Sequence, residues 1–200
     1  VKPYVPRFVD DQSVKINTLL ADRYEKAAEG ETLLEDAYNQ MQVADFDGDQ
    51  ELAKDKYIAV GEIGLDLYWD KTKLEIQKKA FIHQIELAKK YKLPIAIHVR
   101  DSFAEAIEII EKLNDESLSG VFHCFTGRVE DAQRVINLGD FYLGIGGVLT
   151  FKNSGLDKTI AKIELQNLLL ETDSPYLAPT PFRGKRNESK YIVNIAEKLA

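Results

Sequence analysis

Four residues of types that hold divalent cations stand at the ends of short apolar runs: Glu62 in "AVGE", His98 in "IAIHVR", His123 in "VFHCF" and Asp173 in "LLLETD". Imidazole nitrogens and carboxylate oxygens ligate zinc, manganese and magnesium, and such a set with one open position acidifies a bound water at neutral pH. A single polar residue after an apolar run is a cap or a loop contact; four of these types ask for a common purpose. Cations that suit phosphate oxygens lie near the same points: Arg100 two residues past His98, and Arg183, Lys185 and Arg186 in the "FRGKR" that follows Asp173. His83 falls inside the helical pattern "KKAFIHQIELAKK" and reads as a surface or partly packed helix residue.

The elements that must position these residues repeat along the chain. Apolar β-rich runs at 57–60, 94–99, 120–125, 141–145 and 168–171 are each followed by a helical pattern, at 72–91, 102–113, 129–138, 156–163 and 190–199. Five βα units predict a parallel sheet with right-handed crossovers, either an open doubly wound sheet or part of a (β/α)8 barrel. In both, catalytic groups gather at the C-terminal edge of the strands. Alternation along a strand places Ile58, Val60 and Glu62 on one face, Ala96, His98 and Arg100 on one face, and Val121 with His123. Cys124 should then face the helices as a buried structural thiol. In "LGIGGV" Leu149 stands where a dinucleotide fingerprint needs glycine, so Gly144, Gly146 and Gly147 are read as points of close backbone approach.

Composition sets the class. Two hundred residues, 44% hydrophobic, suit one domain, 1–200. A lone cysteine excludes an internal disulfide and no apolar run reaches membrane-spanning length, which predicts a cytoplasmic protein with no membrane partner. The net charge of −7 argues against coating nucleic acid by bulk electrostatics, while leaving room for a local phosphate site. Helices are expected at 14–26 and 32–41. "DFDGDQ" lacks the glycine and glutamate of a calcium loop and reads as an acidic turn. Val1 at the start reads as a piece of a longer polypeptide.

"GEIGLD", "IHVRD", "FHCFTG", "GIGGVLTFKN" and "LLLETDSPYLAPTPFRGKRNES" closely resemble the TatD family of metal-dependent deoxyribonucleases, within the amidohydrolase-like barrels. The resemblance implies a TIM-type (β/α)8 barrel, one or two divalent ions (Mg, Mn or Zn), and hydrolysis of phosphodiester bonds in nucleic acid, DNA first, with no obligate protein partner. It implies that Glu62, His98, His123 and Asp173 are metal ligands, that Glu62 and Asp173 are catalytic, and that Asp173 accepts a proton from the attacking water. Family members also carry an H-x-H pair on a first strand and a later His-Pro, and neither occurs here. The expectation is therefore the last five βα units, 57–200, preceded by a long helical crossover, 1–56, with three strands upstream in the natural protein. The alternatives are an inactive scaffold with residual metal binding, or a barrel hydrolase with another substrate.

Overall fold

The computed structural model describes residues 57–68 and 70–200. The helices expected at 14–26 and 32–41, the acidic turn and the crossover role of 1–56 lie outside the described residues. The described residues belong to one compact unit.

Its centre is a five-stranded parallel sheet in sequence order, β1 (Val60–Asp66), β2 (Ile95–Arg100), β3 (Gly120–Phe122), β4 (Phe141–Ile145) and β5 (Leu168–Leu170). The connecting helices are α1 (Leu74–Tyr91), α2 (Phe103–Leu113), α3 (Val129–Ile136) and α4 (Leu156–Ile160), and α5 (Ile192–Leu199) follows β5. This is the alternation expected of a partial (β/α) barrel. One face of the sheet is apolar because alternate residues are: Ile63 and Leu65, Ile95 and Ile97, Phe122, and Phe141, Leu143 and Ile145 are all buried. Against it pack Phe81, Ile85 and Ala88 of α1 and Ala106, Ile107 and Ile110 of α2, in one continuous core. Each such Leu, Ile or Phe contributes about 1.5–3 kcal/mol by leaving water. α1 stops at Lys92, whose left-handed backbone (φ 53) turns its N–H back to the Ala88 and Lys89 carbonyls.

The other face carries Glu62, Gly64 and Asp66, Ala96 and His98, and Val121 and Tyr142, joined by the pairings Gly64↔His98, Ala96↔Val121 and Val121↔Tyr142. This is the face that turns toward the candidate site.

Three strand boundaries differ from expectation. The first strand is not 57–60 with Glu62 at its end; it is Val60–Asp66, with Glu62 near its start. The cause is the buried alternation of Ile63, Leu65 and Leu67, which continues the strand through "EIGLD", together with a register shift between Val60 and Ile63. Ile58, expected on the strand, is 62% exposed ahead of it. β3 ends at Phe122 rather than 125, because Cys124 adopts a left-handed backbone (φ 46). β5 ends at Leu170, so Asp173 belongs to the loop beyond it, in a turn closed by the Tyr176 N–H on the Asp173 carbonyl at 2.6 Å.

Candidate metal centre

β1 delivers Glu62, the residue after β3 is His123, and the loop after β5 delivers Asp173. Their side chains meet: Glu62 Oε1 is 3.3 Å and Asp173 Oδ1 3.4 Å from the same His123 nitrogen, Nε2. One donor atom from each of the three lies within 4.8 Å of the others, a spacing that fits a shared cation. His98, on β2, stands beside this triad with Nδ1 3.7 Å from Glu62 Oε2. All four sequence candidates are thus on one side of the sheet, three of them in a tight group and His98 at its flank.

The electrostatics favour positive charge at the point where they meet. Burial opposes charging His123, yet the hydrogen bonds to Asp173 and Glu171 and the charges of Glu171 and Glu62 win, lifting its imidazole to about 10. The same hydrogen bond to His123 holds the Asp173 carboxyl below its ordinary range, against the opposing effect of burial. Surroundings that favour a proton on His123 Nε2 also favour a divalent ion in its place. The donor chemistry, an imidazole between two carboxylates, fits zinc or manganese as well as magnesium.

Two carboxylates escaped the sequence reading. Glu171 has both oxygens 3.0 Å from His123 Nδ1, the nitrogen turned away from Glu62. Asp66 has Oδ2 3.3 Å from His98 Nε2. The available signal was spacing. Asp66 lies four residues past Glu62 on the same strand face, and Glu171 two residues before Asp173.

Cys124 is half-buried: burial first, then the charges of Asp173, Glu171 and Glu62, push its thiol up to about 12. Its neighbours show that it sits beside the centre at the turn after β3, not behind the sheet on a continuing strand. His83 is exposed on α1. Arg100 stacks its guanidinium 3.7 Å from the Tyr68 ring, and Arg183 lies 3.6 Å from the Phe151 ring. Lys185 and Arg186 are exposed on the loop of Arg183, which buried Asn187 pins through its side-chain amide to the Tyr176 carbonyl at 2.7 Å. Gly144 and Gly147 mark close approaches, whereas a Cβ on Gly146 would meet nothing nearer than 3.8 Å. A Cβ on Gly144 would stand 2.5 Å from Glu171 Oε2, and one on Gly147 would land on the Leu177 carbonyl oxygen.

The sequence profile described as "TatD related DNase" matches residues 25–200. The chain belongs to this family. It is 46% identical over 149 residues to the uncharacterized metal-dependent hydrolase YabD of Bacillus subtilis, an alignment covering 74% of this chain and 58% of that one. Identity to the uncharacterized metal-dependent hydrolase YcfH of Escherichia coli is 38% over 149 residues, 74% of this chain and 56% of the relative. Among solved structures, the TatD homolog YjjV of Escherichia coli superposes with a TM-score of 0.71 at 34% identity, over 76% of this chain and 59% of that one. A TatD family hydrolase from Entamoeba histolytica gives 0.65 at 25% identity, over 81% and 63%. The TatD-like chain therefore spans rather more than half the length of the relatives it matches, and its sheet is the parallel sheet of a TatD barrel. Among the described residues no helix is long and apolar enough to cross a membrane.

Proposed function

We propose that this chain carries the centre of a metal-dependent hydrolase that cleaves phosphodiester bonds of nucleic acid, with DNA as its main substrate. The observation that carries the reading is the meeting of Glu62, His123 and Asp173 at the end of the sheet where parallel α/β enzymes keep their chemistry. Glu62, His123 and Asp173 would hold the ion, with His98 contributing through Nδ1. When bound, the ion supplies Lewis acidity toward a phosphoryl oxygen and a water.

The remaining work belongs to the side chains. Asp173, drawn below the usual carboxylate range, stays ionised at neutral pH and is placed to accept the proton of the attacking water. Glu62 faces both histidines and orients the group around it. Arg183, Lys185 and Arg186 on the loop past β5, and Arg100 at the end of β2, supply positive charge for the nonbridging oxygens and the neighbouring phosphates.

The test is cleavage of an end-labelled single-stranded oligodeoxynucleotide, and of bis(p-nitrophenyl) phosphate, by protein stripped with chelator and reloaded with Mg, Mn or Zn. Cleavage that vanishes with chelator and returns with one of these ions is the expected result. Metal bound at the centre without cleavage of either compound would favour a barrel hydrolase of another substrate or an inert scaffold.

A further inference from the structure

Each histidine of the centre faces the cation site with one ring nitrogen and a carboxylate outside it with the other. For His123 the inner nitrogen is Nε2, and Nδ1 faces Glu171. For His98 the arrangement is reversed: Nδ1 faces Glu62 at 3.7 Å and Nε2 faces Asp66 at 3.3 Å. Asp66 is not among the three residues whose donor atoms converge.

Asp66 is also firmly aimed. The side-chain amide of Gln77, on α1, takes both of its backbone groups: the Asp66 N–H donates to Gln77 Oε1 at 2.8 Å, and Gln77 Nε2 donates to the Asp66 carbonyl at 2.9 Å. The Tyr68 N–H then donates to Asp66 Oδ1 at 2.9 Å. With one oxygen used in that way, Oδ2 is the one left for His98. A neutral imidazole has one N–H and one lone pair, and a carboxylate can only accept. The shorter contact, 3.3 Å to Asp66 against 3.7 Å to Glu62, takes the hydrogen on Nε2, and a cation between Nδ1 and Glu62 would accept the remaining lone pair.

We infer that Asp66 is a positioning residue that fixes the tautomer of His98, so that Nδ1 is the nitrogen offered to the cation. The inference rests on the metal-binding reading above. Outer partners of this kind set the orientation and basicity of a ligating imidazole and are worth about 10–100-fold in metal affinity.

The geometry makes an asymmetric demand on substitutions. Asp66→Ala removes the acceptor and leaves His98 free to take either tautomer. Asp66→Asn does more harm. Its carbonyl oxygen stays with the Tyr68 N–H, so its NH2 group faces His98 and can only donate, which forces the lone pair onto Nε2 and the hydrogen onto Nδ1, against the ion. A role limited to packing predicts the opposite order, because Asn keeps the size of Asp.

Three histidines in the sequence make the ring resonances few enough to assign. The experiment is zinc titration calorimetry of the 200-residue chain and its two variants, with imidazole ¹⁵N spectra of the zinc-loaded forms and thermal unfolding to check the fold. The expected result is a zinc-shifted Nδ1 and protonated Nε2 on His98 in the wild type, zinc binding weakened about 10–100-fold in Asp66→Ala, and weaker still in Asp66→Asn. Gln77→Ala, which touches no histidine in the hydrogen bonds above, should move affinity the same way by less. Zinc bound by the wild type with affinity unchanged in Asp66→Ala, an Asn variant milder than Ala, or a zinc-shifted Nε2 on His98 would overturn the inference and leave the metal-binding reading standing. A wild type that takes up no zinc, manganese or magnesium would overturn both.

Discussion

Glu171 grips His123 from the side away from the cation site, with both carboxylate oxygens 3.0 Å from Nδ1 while one of them also accepts the Cys124 N–H at 2.6 Å. The pair fixes the imidazole so that Nε2 points at Glu62 and Asp173. Glu171 is itself seated in space that only a glycine leaves open, since a Cβ on Gly144 would stand 2.5 Å from its Oε2. Gly144→Ala should therefore push Glu171 off His123, weakening zinc binding by about tenfold or more, with a lower melting temperature as the strand adjusts. Calorimetry and thermal unfolding on one preparation check both halves.

Asp173→Asn removes charge and basicity while keeping the side chain's size. Turnover on a phosphodiester should fall by at least about a hundredfold, the scale expected of a lost proton acceptor, with metal still held by Glu62 and the histidines. Metal content and rate must be measured on the same sample. If the metal leaves with the activity, Asp173 is a ligand first, and its separate part in proton transfer is lost.

Arg183 lies on the Phe151 ring, a placement that holds the guanidinium plane while leaving its edge for phosphate. Arg183→Ala should weaken binding of single-stranded oligonucleotides of different sequence by similar factors. The slope of log affinity against log salt should shrink by about 0.7–1, one phosphate contact. Fluorescence anisotropy across a salt series with chelator present reads this without cleavage, and an unchanged slope would remove Arg183 from the phosphate path.

Away from the centre, Lys89 on α1 ties the end of α2, with Nζ 2.8 Å from the Leu113 carbonyl and 2.7 Å from Asp115 Oδ2. Hydrogen bonds from Lys89 and then Ser117 pull the Asp115 carboxyl down to about 2 from an ordinary 3.8. Because the folded value lies below the unfolded one, the unfolded chain takes up the proton first on acidification. The stabilisation is complete above about pH 5 and is lost as pH falls toward 2. Urea midpoints of the wild type and Asp115→Asn should differ at neutral pH and converge over that acid range.

Much of the centre was legible because metal ligands come from few residue types and parallel strands put them at one edge. Glu62, His98, His123 and Asp173 could be picked out by counting from the apolar runs. Their supports could not. Asp66 and Glu171 are ordinary carboxylates in a chain with 33 acidic residues, and only the pairing of β1 with β2, and of β3 with β4 and β4 with β5, brings them to His98 and His123. The start of β1 was misplaced because Gly61, Glu62 and Gly64 look like a turn, whereas Ile63 and Leu65 bind the segment to the core. The shortness of β3 was hidden for a different reason: nothing in the type of Cys124 announces a left-handed backbone, which there is supported by a carboxylate arriving 47 residues later.

Every strand of the sheet lies beside its predecessor in sequence, so the described unit can be assembled one hairpin-free step at a time as chain emerges from the ribosome. The candidate ligands do not follow that schedule evenly. Glu62, His98 and His123 are in place once β3 has docked on β2, but Asp173 and the Glu171 that steadies His123 arrive with β5, the last strand of the row. On the metal-binding reading, a partly built sheet would present an incomplete set of donors, and tight capture of an ion would coincide with docking of β5.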